Sequence, residues 1–260
     1  MIYVCIPSRD EGPTVGLLLW KLRRVLGEAT REYEFLVVDD GSSDQTAEVL
    51  ESYAKALPLT VIRHPKPLGY AASVEDLLRQ ALERTDRPKR DCAVLMEADF
   101  SHGPEVVPEL LKRMESGADL VVAQAGFSDS VPPWYRWLRR LAPYLMRRLR
   151  VQGLNDPTSG LLAVRLISLR NARRGRDNRL LTTDGWGAKA ELVAVLAQHS
   201  RRVDSVSYLE RHDLRTRALR SRPWALAKEL WHTGRRVRLP APPARATIER
   251  MEREPAETAP

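Results

Sequence analysis

Long apolar runs are missing from this 260-residue sequence, in which no stretch approaches the roughly 18 uncharged residues of a membrane-spanning helix. The N-terminal apolar segment is broken early by Arg9, Asp10 and Glu11, so a secretory leader is not expected. Only two cysteines are present, Cys5 and Cys92, too few for a disulfide framework. Both lie in apolar, strand-like runs, which predicts buried thiols and a reducing cytoplasm. There is no internal repeat.

Positive charge is plentiful but unevenly placed. The overall net charge is +8, yet residues 1–130 carry a net of −7 and residues 131–238 a net of +16. A basic half of that size suits an anionic membrane surface, a phosphorylated substrate or nucleic acid.

The first 125 residues alternate apolar runs with amphipathic segments. Strands are expected at Ile2–Ile6, Glu34–Val38, Leu59–Arg63, Cys92–Glu97 and Leu120–Ala123, with helices near 14–26, 44–56, 70–84 and 104–115. This alternation predicts an α/β protein, with a mostly parallel central sheet covered by helices on both faces. Ser42 or Ser43 is the expected cap of the second helix. Further on, residues 134–152 read as a helix broken at Pro143, with Trp134, Leu138, Leu141, Leu145 and Leu149 on one stripe. A strand (161–166), a helix (186–199), a strand (203–208) and a basic helix (223–235) follow. Residues 1–239 are expected to form one domain, with a nucleotide-binding half (1–125) and a basic acceptor half (126–239). Proline and alternating charges from residue 240 onward predict a disordered tail.

Ligands of such sheets bind beyond the carboxyl ends of the strands. Three polar clusters fall there: "PSRDE", "DDGSSD" and "EADFSH". In the last, Glu97 and Asp99 are two apart, so on a strand their carboxylates point the same way.

The ordered series "IPSRDEG", "FLVVDDGSSDQT", "LMEADFSHGPE", "DPTSGLLAVR" and "DGWGAKAEL" resembles glycosyltransferase family 2, over roughly residues 1–210. The branch it is most similar to contains dolichol-phosphate mannosyltransferases and bacterial polyprenyl-phosphate transferases. The resemblance implies the GT-A nucleotide-diphospho-sugar transferase fold. It also implies an inverting, metal-dependent transfer of a hexose, mannose or glucose, from a GDP- or UDP-linked donor to a polyprenyl phosphate. Mg²⁺ or Mn²⁺ is the expected cofactor, with Glu97, Asp99 and Ser101 as ligands and Asp99 as a catalytic residue. The family usually has Asp where this chain has Glu97. Pro7, Arg9, Glu11, Asp39, Asp40, Glu97 and Ala98 are implied to line the nucleotide pocket, Arg9 replacing an aromatic residue of many relatives. Asp156, Ser159 and Gly160 match the acceptor loop.

A phosphate acceptor is largely a dianion at pH 7 and needs no base, but its charge must be offset beside the donor. Arg139, Arg140, Arg165, Arg211, Arg217 and Arg220 are candidates, with Arg139, Arg140 and Ser159 assigned to catalysis. The aromatic stripe of 134–152, and Trp224 and Trp231 later on, are expected to touch an anionic membrane at its cytoplasmic face. Two alternatives stand beside this. A family 2 transferase acting on a soluble or glycan hydroxyl would need a base near Asp184. A nucleic-acid-binding protein would explain the basic half but not the acidic strand ends.

Overall fold

The computed structural model describes residues 1–28, 31–174, 176, 179–210, 223–237 and 239. Their strands form one seven-stranded sheet, in the order β3-β2-β1-β4-β6-β5-β7. The strands are β1 (Ile2–Ser8), β2 (Tyr33–Asp40), β3 (Leu59–His64), β4 (Cys92–Leu95), β5 (Leu120–Phe127), β6 (Leu162–Arg165) and β7 (Val203–Glu210). All run parallel except β6, which is antiparallel to both β4 and β5. The mostly parallel α/β sheet expected from the sequence is therefore present.

Alternation within each strand sends side chains to opposite faces. Val4, Ile6, Phe35, Val37 and Val94 pack on one face against Leu18, Leu19 and Leu22 of α1 (Gly12–Leu26) and Leu110 of α4 (Val107–Glu115). Tyr3, Cys5, Leu36, Val38 and Ala93 pack on the other, against Leu77 and Leu78 of α3 (Tyr70–Arg84) and Leu192 and Leu196 of α7 (Gly185–Gln198). Each fully buried leucine contributes about 1.5–3 kcal/mol from area removed from water. Cys5 and Cys92 are both buried and free, and burial pushes both thiols up.

Several boundaries differ from expectation. The fourth strand stops at Leu95, and residues 96–99 leave the ladder after Met96 N–H donates to the Cys5 carbonyl. Alternation nevertheless persists, with Met96, Ala98 and Phe100 buried and Glu97 and Asp99 facing outward. Phe100 has a φ of 59°, an uncommon left-handed value for a bulky residue, at the bend that turns the chain away. In α2 (Thr46–Ala54) the N-cap is Gln45, with no side-chain cap bond, and Asp44 just before it accepts from Thr46 N–H at 3.0 Å. Ser42 and Ser43 bond Asp10 instead.

The predicted 134–152 helix is α5 (Pro133–Leu145) followed by a 3-10 turn at Arg147–Leu149. Pro143 falls in its last turn, where its missing N–H removes the i→i−4 bond to the Arg139 carbonyl, and the helix ends two residues on. The helix α6 (Leu166–Arg174), not expected from the sequence, continues directly from β6. Leu138, Met146 and Leu149 pack with Leu226 and Leu230 of α8 (Pro223–Arg236), beside Ala190 and Ala194 of α7. The apolar stripe predicted to be interfacial is thus largely core. The predicted tail at 240–260 lies outside the described residues.

Candidate active site

The carboxyl ends of β1, β2, β4, β5 and β7 share one rim, and most of the candidate residues lie there. The loops after β1 and β2 are laced together. Asp10, at φ 52°, accepts from Ser43 N–H at 2.7 Å, while its own N–H donates to Ser42 Oγ at 2.8 Å. Glu11 N–H donates to Thr46 Oγ1 at 2.8 Å, and Gly12 N–H to Asp44 at 3.1 Å. Burial works to raise the Asp44 carboxyl, but hydrogen bonds from Thr46 and Gly12 prevail and hold it below its ordinary value. Pro7 and Glu11 stay half-buried on this loop and Arg9 projects with its side chain 45% exposed.

The two aspartates after β2 have separate fates. Asp39 accepts from Ser42 N–H at 3.1 Å beside Ser8, whose hydroxyl is buried without a partner among the described residues. Asp40 is structural: it holds His64 Nδ1 at 2.7 Å, Leu68 N–H at 2.7 Å and Gly69 N–H at 3.0 Å.

Past β4, Asp99 accepts from Ser101 N–H at 2.9 Å. The Ser101 hydroxyl is buried and shares a 3.0 Å hydrogen bond with His102 Nδ1, so its engagement within the loop argues against its role as a metal ligand. Burial lowers the His102 pKa despite the nearby Glu97, Glu210 and Asp99 charges, leaving a neutral imidazole at pH 7.

Glu97 meets two partners that approach from distant parts of the chain. The Lys189 ammonium pairs with its Oε1, and Gly160 packs against its carboxylate. Lys189 also lies 5.3 Å from the Tyr70 ring centroid and 5.7 Å from that of Trp186. The Tyr70 hydroxyl is buried with no partner among the described residues, and its pKa is raised by burial and by the Glu97 and Asp184 charges.

Lys189, Tyr70, Trp186 and Ser8 escaped sequence reasoning. A legible signal existed for one of them: Lys189 is a lone cation in "GAKAELVAVLA", an apolar helix that affords it little solvent.

The acceptor loop is held from below. Gln124 Oε1 accepts from Asn155 and Asp156 N–H at 2.7 and 2.8 Å. Asp156 accepts from Thr158 N–H and Oγ1–H, and pairs with Arg139 through its other oxygen. Ser159 turns its buried hydroxyl to the Leu161 carbonyl at 3.2 Å, so the loop meets the carboxylates through Gly160.

Arg139 is buried, bonded to Tyr135 Oη at 2.9 Å and Glu210 at 3.1 Å besides Asp156, and its ring contacts include Trp186 at 5.4 Å. Burial opposes its charge, but Asp156, Tyr135 and Glu210 overcome this and drive its pKa well above the ordinary value. These contacts fix Arg139 in the wall of the cleft that Arg136 and Arg140 also line. Arg165 stands at the opposite rim, because β6 runs backwards; it clamps Asp119 and the Met114, Ala118 and Lys89 carbonyls. Asp184 accepts from Ala71 N–H at 2.8 Å and so tethers α7 to the start of α3. Arg140 remains exposed, and lines a cleft of about 470 Å³ with Arg136, Gln124, Phe127, Asn155 and Tyr208. Arg211, Arg217 and Arg220 lie outside the described residues.

A model of Glycosyl transferase family 2 matches residues 3–170, well over half of the chain. The chain belongs to that family. Among curated relatives, dolichol-phosphate mannosyltransferase of Pyrococcus furiosus is 29% identical over 170 residues, covering 63% of this chain and 46% of the relative. Undecaprenyl-phosphate 4-deoxy-4-formamido-L-arabinose transferase of Pseudomonas aeruginosa is 28% identical over 160 residues, covering 60% and 44%. This family 2 chain thus spans less than half the length of these relatives. Its fold is that of GT-A glycosyltransferases. The UDP complex of glucosyl-3-phosphoglycerate synthase from Mycobacterium tuberculosis matches with a TM-score of 0.60 at 18% identity, over 90% of this chain and 78% of that one. The same synthase has also been crystallised with Mn²⁺ and UDP-glucose.

Among the described residues, no three His, Cys, Asp or Glu side chains converge as a self-sufficient metal cage. Glu97 and Asp99 nevertheless suit a hard divalent ion of the kind held by one or two carboxylates together with substrate phosphates. The donor set fits Mg²⁺ or Mn²⁺ on that basis.

Proposed function

We propose that this chain is an inverting glycosyltransferase that moves a hexose, mannose or glucose, from a UDP- or GDP-linked donor to a polyprenyl phosphate at a membrane surface. One observation carries the reading: Gly160 of the acceptor loop packs on Glu97 of the acidic pair, bringing the donor and acceptor elements together. The names of the curated relatives support a polyprenyl-phosphate acceptor.

Pro7, Glu11 and Asp39 line the nucleotide side of the rim. Glu97 and Asp99 would hold a divalent ion, which would supply positive charge to the donor diphosphate. Arg140 and Arg136 receive the acceptor phosphate in the cleft beside the acceptor loop. A phosphate oxygen forms the new bond to the anomeric carbon as the carbon–oxygen bond to the nucleoside diphosphate breaks, its electron pair leaving with the diphosphate. No proton has to be removed from the acceptor, in keeping with the use of Asp184 as a tether.

Among the described residues no helix is long and apolar enough to cross a membrane. Membrane contact is assigned instead to exposed aromatics, Trp137 (64% exposed) and Tyr144 (76%) on α5 and Trp224 (86%) on α8, with Arg140, Arg147 and Arg148 exposed on or near α5.

The deciding experiment incubates the protein and Mn²⁺ with radiolabelled sugar nucleotides and either polyprenyl phosphate or the matching polyprenol. Organic-phase label with the phosphate alone is expected. Equal labelling of the alcohol would replace this reading with a hydroxyl-acceptor transferase.

A further inference from the structure

Lys189 is only 8% exposed, and its ammonium rests on a carboxylate that faces the donor side of the rim. Burying an ammonium costs several kcal/mol, and replacing a whole buried ion pair with apolar residues of similar volume is often neutral or stabilising. A structural need alone therefore gives a weak account of a lysine here. The Tyr70 and Trp186 rings flank its ammonium, and the buried Tyr70 hydroxyl has no partner among the described residues.

A nucleoside diphosphate entering this site meets two carboxylates, Glu97 and Asp99, which repel it. The compact, mobile ammonium of a lysine is a good phosphate ligand, and its four-carbon stem allows a shift of a few ångströms.

We propose that Lys189 is a ligand of the donor diphosphate, parked on Glu97 until the donor arrives. In the free protein it neutralises Glu97 and competes with a metal ion for that carboxylate. When the diphosphate enters, the ammonium transfers to a phosphate oxygen and Glu97 is released. Two consequences follow. A metal ion alone binds weakly, and nucleoside diphosphate retains some affinity without metal. The inference rests on the transferase reading, through its assignment of a nucleotide donor to this rim.

The test uses the full chain, with Lys189→Met and Glu97→Gln variants whose folding is checked by thermal unfolding. Calorimetry measures UDP and GDP binding, first with Mn²⁺ and then in EDTA. Manganese resonance measures binding of Mn²⁺ alone. In EDTA, Lys189→Met is expected to bind nucleoside diphosphate about tenfold to a hundredfold more weakly than the unmodified protein, the worth of one charge-assisted contact. The same variant is expected to bind Mn²⁺ alone more tightly, because Glu97 is freed. Glu97→Gln, which releases Lys189, is expected to keep or raise metal-free nucleotide affinity while losing Mn²⁺.

If the unmodified protein binds neither UDP nor GDP even with Mn²⁺, the transferase reading itself fails. If it binds them but Lys189→Met binds equally well in EDTA, the role of Lys189 alone is overturned. Equal losses in Lys189→Met and Glu97→Gln also overturn it, because the pair is then structural. Should Lys189→Met not fold, the Glu97→Gln result decides by itself: a gain or no change upholds the proposal and a loss rejects it.

Discussion

Gly160 leaves no room for a side chain beside Glu97: a Cβ built on it stands 2.8 Å from the Glu97 carboxyl carbon. Glu97 is also gripped by Lys189, so it has little freedom to yield. Gly160→Ala is therefore expected to displace the carboxylate and cut transfer at least tenfold, while thermal stability changes little. Steady-state kinetics and a melting curve measure both. Activity within twofold of the unmodified protein would show that the carboxylate does not need that position.

Asp99 and Glu97 lie half-buried in the same turn, and Glu97 carries the Lys189 pair. Asp99→Ala is expected to abolish transfer and Mn²⁺-dependent nucleotide binding. Glu97→Asp, which keeps a carboxylate at that point, should retain activity. Near-normal, fully metal-dependent turnover in Asp99→Ala would reject Asp99 as a ligand.

The neighbouring arginines Arg139 and Arg140 should separate cleanly. Arg139→Ala leaves Asp156 and Glu210 buried without their cation, a loss of about 3–5 kcal/mol. At about 2–4 °C per kcal/mol in a chain of this size, melting falls by roughly 6–20 °C. Arg140→Ala, on the exposed side of α5, should leave melting unchanged and raise the acceptor KM about tenfold to a hundredfold. An Arg140 variant with normal acceptor KM would remove that residue from the acceptor site.

His199 gives stability an acid limb. Burial, and then the Arg176 charge, depress its pKa below 6.5, and its Nδ1 is buried without a partner among the described residues. As pH falls through about 6.5, the unfolded chain takes up the proton first and is stabilised relative to the folded one. Stability should therefore decline from pH 7 toward the folded pKa, with His102 adding in the same direction. His199→Gln is expected to shallow that decline in melting temperature between pH 7 and 5.5. Parallel curves for the two proteins would exclude His199 as a contributor.

Trp137 and Trp224 test the membrane surface. Replacing both with Ala should weaken flotation with anionic liposomes at low salt, and rising salt should weaken flotation of the unmodified protein. No flotation of the unmodified protein at low salt would leave these aromatics without a lipid role.

Local patterns were enough to determine the layered α/β architecture and the rim that holds the candidate residues. Apolar runs of strand length alternating with amphipathic helices allow few other packings, and strand ends collect the polar loops wherever the chain folds that way. The outward-facing pair Glu97 and Asp99 was also legible, because a period of two survives into the turn after β4 even though the ladder has ended. Tertiary structure alone decided which charged groups stay available. Arg139 and Arg140 are adjacent in sequence, yet a rotation of about 100° along the helix sends one into a cage of carboxylates and rings and the other to solvent. Arg165 follows the acceptor motif closely but reaches the far rim because β6 is antiparallel, and strand direction is set by long-range pairing. Lys189 meets Glu97 across 92 positions for the same reason: charge and burial are properties of what the folded chain brings together.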